Sequence, residues 1–393
     1  MIVQKYGGSS LARPDQIQSV AERVARLHKA GESVLVVVSA MGKTTDQLIE
    51  LAYSVSPTPN RRELDMLLTT GERISMALMS MALIDRGAPA ISFTGSQAGI
   101  MTDELHSSAR IVDVKPVRVE AEIDRGHVVV LAGFQGVSPK TKEITTLGRG
   151  GSDVTAVAMA AYFKASRCEI RKDVDGVHSA DPNVVPHTRH LPQLHYLQLL
   201  DMTFGGAKVL HYRSVELAAL LKIPLVVCMA HGETERETVI DEAAPMYENA
   251  RIISVNSHKD VRWLKVDRPD LATAFHEMSR ALQGASLPLP QILDTHIADG
   301  RVSFLITSPA ETLGAIAQVA AREAHLELDS LELSSVTATC QGAFASPLPE
   351  QMAQALSSQS VMIHKMMFGA MSLTVIVDAK NREKTLQALH AII

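Results

Sequence analysis

The stretch TTLGRGGSD, residues 145–153, combines three glycines with an arginine and an aspartate. Glycines let a backbone come close to a ligand because they carry no Cβ. Arg149 offers a planar fork of N–H donors that suits a carboxylate or a phosphate. The next residues, DVTAVAMAAYF, predict a helix, and its start near Gly151-Ser152 would present N–H groups to an anion. The ligand could be a dinucleotide, a nucleoside triphosphate or a small acid.

Three segments of the sequence resemble known ligand-binding motifs, but each lacks a required residue. GRGGSD is not a dinucleotide fingerprint, because Asp153 stands where the third glycine belongs. In SAMGKTT, Val37 occupies the position of the first glycine of a P-loop. Ahead of Asp173, Arg171 stands where the first acidic ligand of a calcium loop belongs. The motifs alone therefore do not identify the ligand.

Other glycine-rich loops each follow a predicted strand: KYGGSS (5–10), SAMGKTT (39–45) and FQG (134–136). In a parallel sheet such loops meet at the carboxyl ends of the strands, where ligands bind in this architecture. Backbone N–H groups at Gly7-Gly8 are suited to anionic oxygens. A single glycine pair would more simply serve a tight turn. Several loops favour a binding site because they also carry Lys5, Thr45, Glu72, Arg149 and Asp153.

The first 240 residues alternate apolar runs with helical patterns. The runs predict strands at Ile2–Lys5, Ser33–Val38, Ala90–Phe93, His127–Leu131, Cys168–Arg171 and Pro224–Met229. Several are apolar almost throughout, as strands covered on both faces are. Between the first two, Pro14 opens a helix with Ile17, Val20 and Val24 on one face. The repetition predicts an α/β fold, an αβα sandwich on a mostly parallel sheet.

The composition of the 393 residues narrows the class of protein. A net charge of −5 gives no reason to expect nucleic acid or a membrane surface as a partner. No apolar run approaches the roughly 18 residues of a membrane helix, and MIVQKYGGSS lacks the layout of a signal peptide. Cys168, Cys228 and Cys340 are too widely spaced to suggest a disulfide framework or a zinc site. We expect a cytoplasmic enzyme.

Near residue 250 the pattern changes to two successive units of roughly 65 residues, each predicted as βαββαβ. The first contains the strand-like RWLKV (262–266) and a helix through Phe275 and Met278. The second contains the strand-like VTATC (336–340) and SLTVIV (372–377). We predict three domains, at residues 1–250, 251–333 and 334–393.

Eight segments together carry a resemblance to a known family. They are KYGGSS, VVVSAMGKTTDQL, LLTTGERIS, SFTGSQAGI, AGFQGV, TTLGRGGSDVTAVAMAA, DVDGVHSADP and GAKVLHYRSVE. In this order they resemble the aspartate kinases of the amino-acid kinase family, over roughly the first 225 residues. The tail resembles, more faintly, the paired ACT regulatory modules of the same enzymes. The resemblance implies an amino-acid kinase fold followed by two ferredoxin-like ACT modules.

The implied reaction transfers the γ-phosphate of ATP to the β-carboxylate of L-aspartate and gives 4-phospho-L-aspartate, on the way to lysine and threonine. A carboxylate with an ordinary pKa near about 4 is already ionised at neutral pH, so it needs no general base. The difficulty lies in bringing two anions together and stabilising charge on the transferring phosphoryl group. Such a site needs cations and N–H donors.

The matching motifs also imply a role for individual residues. The implied catalytic residues are Lys5 and Asp153, and the implied substrate-binding residues are Ser39, Thr45, Glu72, Arg149 and Ser152. The implied nucleotide-binding residues are Lys5, Gly7, Gly8, Ser9, Lys172, Asp173, His178, Asn183 and Lys208. In the family, the residue that matches Arg149 binds a substrate carboxylate, and the residue that matches Glu72 pairs with the substrate's amino group. Mg²⁺ is expected with ATP, held mainly by phosphates and water, so we assign no metal ligand.

Four positions depart from the family pattern. Lys172, His178 and Asn183 stand where the family commonly has a hydroxyl residue, a tyrosine and an arginine. Asparagine cannot replace the bidentate donor of an arginine, although Lys172 would supply charge from another direction. Asp270 stands where the first ACT loop has glycine, and its Cβ would crowd an amino-acid effector.

Two alternative functions stay open on the sequence alone. One is an amino-acid-binding regulatory chain whose nucleotide site has lost activity, which the departures suggest. The other is a kinase for a related acid such as glutamate, in a specialised pathway. We expect L-aspartate as the substrate partner and a homo-oligomer, most simply a dimer, formed through the ACT modules. We expect neither nucleic acid nor a membrane as a partner.

Overall fold

The structure, a computed structural model, describes residues 1–232, 234, 236–244, 251–285, 287–341 and 347–393. The chain forms two compact units. The first comprises Met1–Val177, His190–Thr203 and the described residues of Lys208–Met246. The second comprises His178–Arg189, Phe204–Ala207 and the described residues of Tyr247–Ile393. The predicted boundary at residue 250 lies outside the described residues, and the three-domain division stays a prediction.

The strands as far as residue 241 are numbered in chain order. They are β1 (Ile2–Tyr6), β2 (Val34–Val38), β3 (Ala90–Phe93), β4 (Ile100–Thr102), β5 (Ile111–Val114), β6 (Val128–Ala132), β7 (Gln135–Val137), β8 (Ile144–Thr146), β9 (Arg167–Lys172), β10 (Val177–His178), β11 (His190–Leu191), β12 (Gln193–His195), β13 (Leu225–Met229) and β14 (Glu237–Asp241). The helices among them are α1 (Pro14–Lys29), α2 (Thr44–Val55), α3 (Arg61–Ile84), α4 (Val117–Asp124), α5 (Gly151–Tyr162), α6 (Tyr196–Phe204) and α7 (Tyr212–Leu221).

The main sheet of the first unit has the strand order β12-β14-β13-β9-β1-β2-β6-β3. From β13 to β3 the neighbouring strands are parallel, and β14 is antiparallel to β13. Strands β1, β2 and β6 are buried along their whole length, as strands covered on both faces must be. The six strands predicted from the sequence are confirmed, each to within one residue at either end. A smaller sheet has the order β5-β4-β7-β8.

Helices cover both faces of the main sheet. Ile17 and Val20 of α1 and Met79 of α3 join one apolar core with Ile2 and Tyr6 of β1. Helix α5 packs on β1, β2 and β9, and its residues from Gly151 to Ala160 are all buried. Alternate residues of a strand point to opposite faces. Tyr6 faces α1 and α3, so Lys5 lies on the other face, the one that α5 covers. The predicted αβα sandwich is therefore confirmed.

Helix α3 is long and apolar enough, by length and composition, to cross a membrane, with 50% of its most apolar window buried inside the protein. The core helix of a globular protein often passes the same test. Two of its buried residues are acidic, Asp65 and Glu72, and acidic side chains are rare on apolar membrane-facing surfaces. Both carboxyl groups are hydrogen-bonded inside the first unit. We therefore treat α3 as a core helix.

The second unit continues the numbering. Its strands are β15 (Arg251–Val266), β16 (Gln291–Ala298), β17 (Arg301–Thr307), β18 (Leu326–Leu328), β19 (Leu333–Gln341), β20 (Lys365–Phe368) and β21 (Ser372–Asp378). Its helices are α8 (Leu271–Gly284), α9 (Ala310–Ala320), α10 (Leu348–Ser358) and α11 (Arg382–His390). The strand order is β16-β17-β15-β19-β21-β20, with β18 also paired to β15. This is one antiparallel sheet, to which both predicted modules contribute.

Strand β15 serves both modules. Its end at Val261–Val266 pairs with β17 and β18. This half of β15 is the first strand of the predicted βαββαβ order of the first module. Its beginning at Arg251–His258 pairs with β19. No strand follows α11 in residues 391–393. The second module therefore takes its fourth strand, the sixth element of the βαββαβ order, from the start of β15, which the sequence pattern did not predict.

Each module has its own apolar core. Leu264 of β15 packs with α8 and α9, whereas Val255 of β15 packs with α10 and α11. The second core also contains Ala180 and Val185, which the sequence placed in the first domain. Segment 178–189 thus packs as part of the second module, because its apolar side chains are buried there.

Candidate active site

Lys5 and Asp153 form a buried ion pair at the carboxyl end of β1. The Lys5 Nζ lies 2.6 Å from Asp153 Oδ1, and the two residues are only 6% and 5% exposed. A Cβ added at Gly7 would stand 3.8 Å from this ammonium, so the glycine loop after β1 lies directly above it. The N–H of Gly7 itself faces Arg171 O at 3.5 Å. The strand end thus holds a cation oriented by a carboxylate and covered by a glycine loop.

The loops after β1 and β2 touch through their backbones. The N–H of Gly42 donates to Gly8 O at 2.9 Å. A Cβ at Gly8 would stand only 2.7 Å from Ala40 O, so no side chain fits at that position. The N–H of Ser39 donates to Tyr6 O at 3.1 Å. Ser39 is half-buried, as is Thr45 in the first turn of α2. Two of the predicted substrate residues are therefore held beside the Lys5 loop.

Glu72 approaches the same loops from α3. Its Oε1 accepts the N–H of Ala40 at 3.0 Å, while its Oε2 is buried without a hydrogen-bond partner among the described residues. Burial raises the pKa of Glu72 to about 7, against the opposing effects of the Ala40 N–H and the positive charge of Lys5. A buried carboxylate oxygen without a donor suits a cationic group. Glu72 is therefore a ready partner for an ammonium.

The segment LGRGGSD turns into α5 at Gly150, which has a φ of 72°. A Cβ at Gly150 would stand 2.2 Å from the Cβ of His211, so the turn and the start of α7 are packed together. Arg149 is exposed and has no hydrogen bond or ion pair with a described residue. Its guanidinium is available to a ligand. Ser152, 7% exposed, lies in the first turn of α5, where helix N–H groups face an anion.

Lys172 ends β9 close to Lys5 and Asp153, whose charges act on it. Its Nζ donates to Val209 O and, at 3.4 Å, to Lys208 O. Burial lowers the pKa of Lys172. Its ammonium is thus bonded to the backbone of the loop that carries Lys208. Its role toward phosphate stays a prediction.

The other predicted nucleotide residues fall into two groups. Ser9, Asp173 and Lys208 are exposed residues of the first unit. His178 and Asn183 belong to segment 178–189 of the second unit and contact residues of that segment. The His178 Nδ1 lies 3.2 Å from Thr188 Oγ1, and Asn183 donates twice to Asp181. Their nucleotide role stays a prediction.

Three residues of the site were not singled out from the sequence. Burial lowers the pKa of His211, and the charge of Arg213 acts in the same direction, so this ring favours its neutral form beside Arg149. Ahead of Arg149, Asp65 accepts the side-chain hydroxyl of Thr146, and Arg213 donates to the backbone carbonyl of Leu147. One signal existed for Asp65: it lies seven residues before Glu72, so both share one face of a helix.

No group of three or more acidic, histidine or cysteine side chains suited to a metal ion occurs in the parts of the chain that the structure describes. Asp153, in the first turn of α5, is already paired with Lys5. The side chains of the site thus do not form a protein cage for a divalent cation. Such a cation would need most of its ligands from another source.

Comparison with known proteins gives consistent matches. Residues 1–229 match the amino acid kinase family. The chain is 39% identical to the aspartokinase of Mycolicibacterium smegmatis, with 99% of this chain and 95% of that protein covered. It is 36% identical to the aspartokinase of Geobacillus stearothermophilus, with 99% and 96% covered.

A solved structure of E. coli aspartokinase III, in complex with aspartate and ADP, has the same fold. It matches with a TM-score of 0.81 at 20% identity, and the match covers 100% of this chain and 99% of that one. The aspartate kinase of Synechocystis matches at 34% identity with a TM-score of 0.57, covering 100% of this chain and 69% of that one.

Proposed function

We infer the chemistry of this site from one premise: the chain belongs to the aspartokinases of the amino acid kinase family and is an ATP-dependent aspartate kinase. An oxygen of the aspartate β-carboxylate attacks the γ-phosphorus of ATP. The bond from that phosphorus to the β,γ-bridging oxygen breaks, and ADP leaves with the electron pair. The products are 4-phospho-L-aspartate and ADP. No proton moves in this step, which agrees with a site that offers cations rather than a base.

We propose that Lys5 stabilises the transferring phosphoryl group. Its ammonium is buried at the end of β1 and oriented by Asp153 at 2.6 Å, so it needs little rearrangement when negative charge develops. A buried ion pair is costly when its remaining protons lack acceptors. Phosphoryl oxygens would supply hydrogen-bond acceptors that the described residues do not offer to this ammonium. This pairing is the observation that carries the proposal.

We propose that Glu72 and Arg149 bind the two ends of L-aspartate. The unpartnered Oε2 of Glu72 would accept the substrate ammonium. The exposed guanidinium of Arg149 would bind a carboxylate with two parallel hydrogen bonds. Ser39, Thr45 and Ser152 would complete the hydrogen bonds around the substrate. E. coli aspartokinase III has been solved with aspartate and ADP, which supports placing both ligands in one site.

The nucleotide would lie with its phosphates at Lys5, at the loop Gly7-Gly8-Ser9 and at Lys208. Lys172 would act through the backbone of the Lys208 loop, to which it is bonded. Mg²⁺ would be held by the phosphates and water, because the described side chains form no cage for it. We assign no step of the reaction to it.

The assembly and location follow from the family resemblance. We propose a cytoplasmic homodimer formed through the ACT-like modules. Apolar side chains of the first module support a protein partner there, since Leu271 is 45% and Phe275 41% exposed. Neither alternative function considered from the sequence is favoured by a contact in the site.

Removing the guanidinium of Arg149 tests the substrate assignment. Purified protein with ATP, Mg²⁺ and L-aspartate should form an acyl phosphate that hydroxylamine traps as a hydroxamate. Arg149→Ala should lower kcat/KM for aspartate by roughly 100-fold, because a charge-assisted bidentate contact is lost, while the KM for ATP changes little. Arg26→Ala, at an exposed position of α1, is the matched control. Equal activity in both variants would remove Arg149 from the substrate site.

A further inference from the structure

The position of Arg149 depends on the backbone before it, because its side chain has no partner among the described residues. Segment Thr146–Gly148 is held by hydrogen bonds from several directions. The carbonyl of Thr146 accepts the N–H of Ala109 at 2.9 Å, and the N–H of Leu147 donates to Phe134 O at 2.8 Å. Arg213 donates to Leu147 O at 2.6 Å. These bonds fix the main chain from which Arg149 projects.

A fully buried carboxylate makes the remaining anchor. Asp65, 0% exposed, accepts the hydroxyl of Thr146 at 2.6 Å. Both of its oxygens also lie 3.1 Å from the N–H of Ser107, and one lies 2.7 Å from His106 Nδ1. The carboxylate thus ties α3 to the end of β8 and to the loop that packs against Gly148, where an added Cβ would stand 3.0 Å from Ser107 O.

The same helix carries Glu72, seven residues further along. At about 1.5 Å of rise per residue, the two carboxylates are roughly 10 Å apart along α3. Glu72 forms the proposed ammonium site itself, whereas Asp65 supports the proposed carboxylate site, Arg149, through Thr146. Helix α3 therefore sets the distance between the groups that bind the two ends of the substrate.

We propose that Asp65 is a positioning residue for substrate aspartate, acting through the Thr146 hydroxyl on the segment that carries Arg149. The proposal rests on the proposed role of Arg149. It assigns to Asp65 an effect on aspartate binding beyond its contribution to folding. The decisive variants lie at Thr146, because Asp65→Asn would leave several buried donors without acceptors and endanger the fold.

Neighbouring threonines offer a matched comparison. Thr146 and Thr145 are both buried in β8, but the Thr145 hydroxyl bonds to Thr102 at 2.6 Å and not to Asp65. Thr146→Val should raise the KM for aspartate by about tenfold, with kcat reduced less and the KM for ATP unchanged, since small displacements of a binding group are costly. Thr145→Val should leave the aspartate KM within about twofold. Thr146→Ser, which keeps the hydroxyl, should restore the wild-type value.

A double-mutant cycle separates this proposal from the assignment on which it rests. In an Arg149→Ala background, Thr146→Val should have no further effect on the aspartate KM, because the group that it displaces is absent. If Arg149→Ala raises the aspartate KM but Thr146→Val acts no more strongly than Thr145→Val, Asp65 is a folding residue only and the proposal is wrong. If Arg149→Ala itself leaves the aspartate KM unchanged, the substrate assignment of Arg149 is wrong, and the proposal for Asp65 is wrong with it.

Discussion

Glu72 shows at the residue scale how burial changes the chemistry of one side chain. In water a glutamate is ionised throughout the neutral range, but burial raises the pKa of Glu72 to about 7. One oxygen is already occupied by the N–H of Ala40. Whether the other can accept an ammonium therefore depends on pH within the range in which the enzyme would be assayed.

The aspartate KM should consequently fall as pH rises from 6 to 8. With a pKa of about 7, the ionised fraction of Glu72 grows from about one tenth to about nine tenths, and the KM should fall by up to about tenfold. Initial rates over a range of aspartate at saturating ATP would measure it. Glu72→Gln should give a weaker but flat profile. An equally steep profile in Glu72→Gln would assign the titration to another group.

The free protein should respond to pH in the opposite sense. Because the pKa of Glu72 is higher in the folded chain than its usual 4.5, its stabilising contribution is complete below pH 4.5 and is lost as pH rises through about 7. Bound aspartate would offset this loss.

The charged residues of the site differ in how far the sequence predicts them. Lys5 and Arg149 stand beside glycines that follow strands, which is the pattern that marks binding loops in this architecture. Glu72, which the sequence placed in a strand-end loop, lies within helix α3 instead. Asp65 has no glycine neighbour, and its partner Thr146 is 81 positions away. The contact between Asp65 and Thr146 forms only when α3 and β8 pack together, and no local sequence pattern predicts that packing.

At the scale of elements, the start of α5 is determined by a glycine in the left-handed region. Gly150 has a φ of 72°, which residues with a Cβ adopt only at a cost. His211 fills the space that a Cβ at position 150 would need. The periodicity of DVTAVAMAAYF predicts the helix itself, whereas the packing of α7 against its first turn is visible only in the structure.

Gly150→Ala should therefore be more damaging than the same change at a glycine with similar φ and free space. Gly126 has a φ of 79° and no heavy atom within 4 Å of an added Cβ. Gly126→Ala should lower the Tm by roughly 2–8 °C, from about 1–2 kcal/mol of backbone strain. Gly150→Ala should add about 1–3 kcal/mol of overpacking and also reduce kcat/KM for aspartate. Thermal unfolding and steady-state kinetics of both variants would decide, and equal losses would contradict the role of His211.

At the scale of the whole molecule, the compact units do not follow the order of the chain. Residues 178–189 lie within the span that matches the amino acid kinase family, yet Ala180 and Val185 are buried in the core of the second module. Sequence periodicity predicts the elements of the second unit well. It cannot reveal that a loop-like stretch from the first half is packed there, since that stretch has no periodicity of its own.

Val185→Ala should loosen the second module although it lies far from that module in sequence. Val185 is 3% exposed, and loss of its two methyl groups should cost about 1–3 kcal/mol. Hydrogen exchange should accelerate in α10 and α11. Asn183→Ala, an exposed change in the same segment, is the control and should leave exchange in these helices unaltered. If both variants left it unaltered, this packing would be energetically unimportant.

Strand β15 has a consequence for chimeric enzymes. Because its first half completes the module formed by residues 333–393 and its second half begins the other module, neither module can be exchanged between relatives as a contiguous cassette. A splice at residue 334 would graft a sheet without its outer strand. A graft beginning before Arg251 would carry the whole of β15 but would still lack Ala180 and Val185, which are buried in the core of the second module.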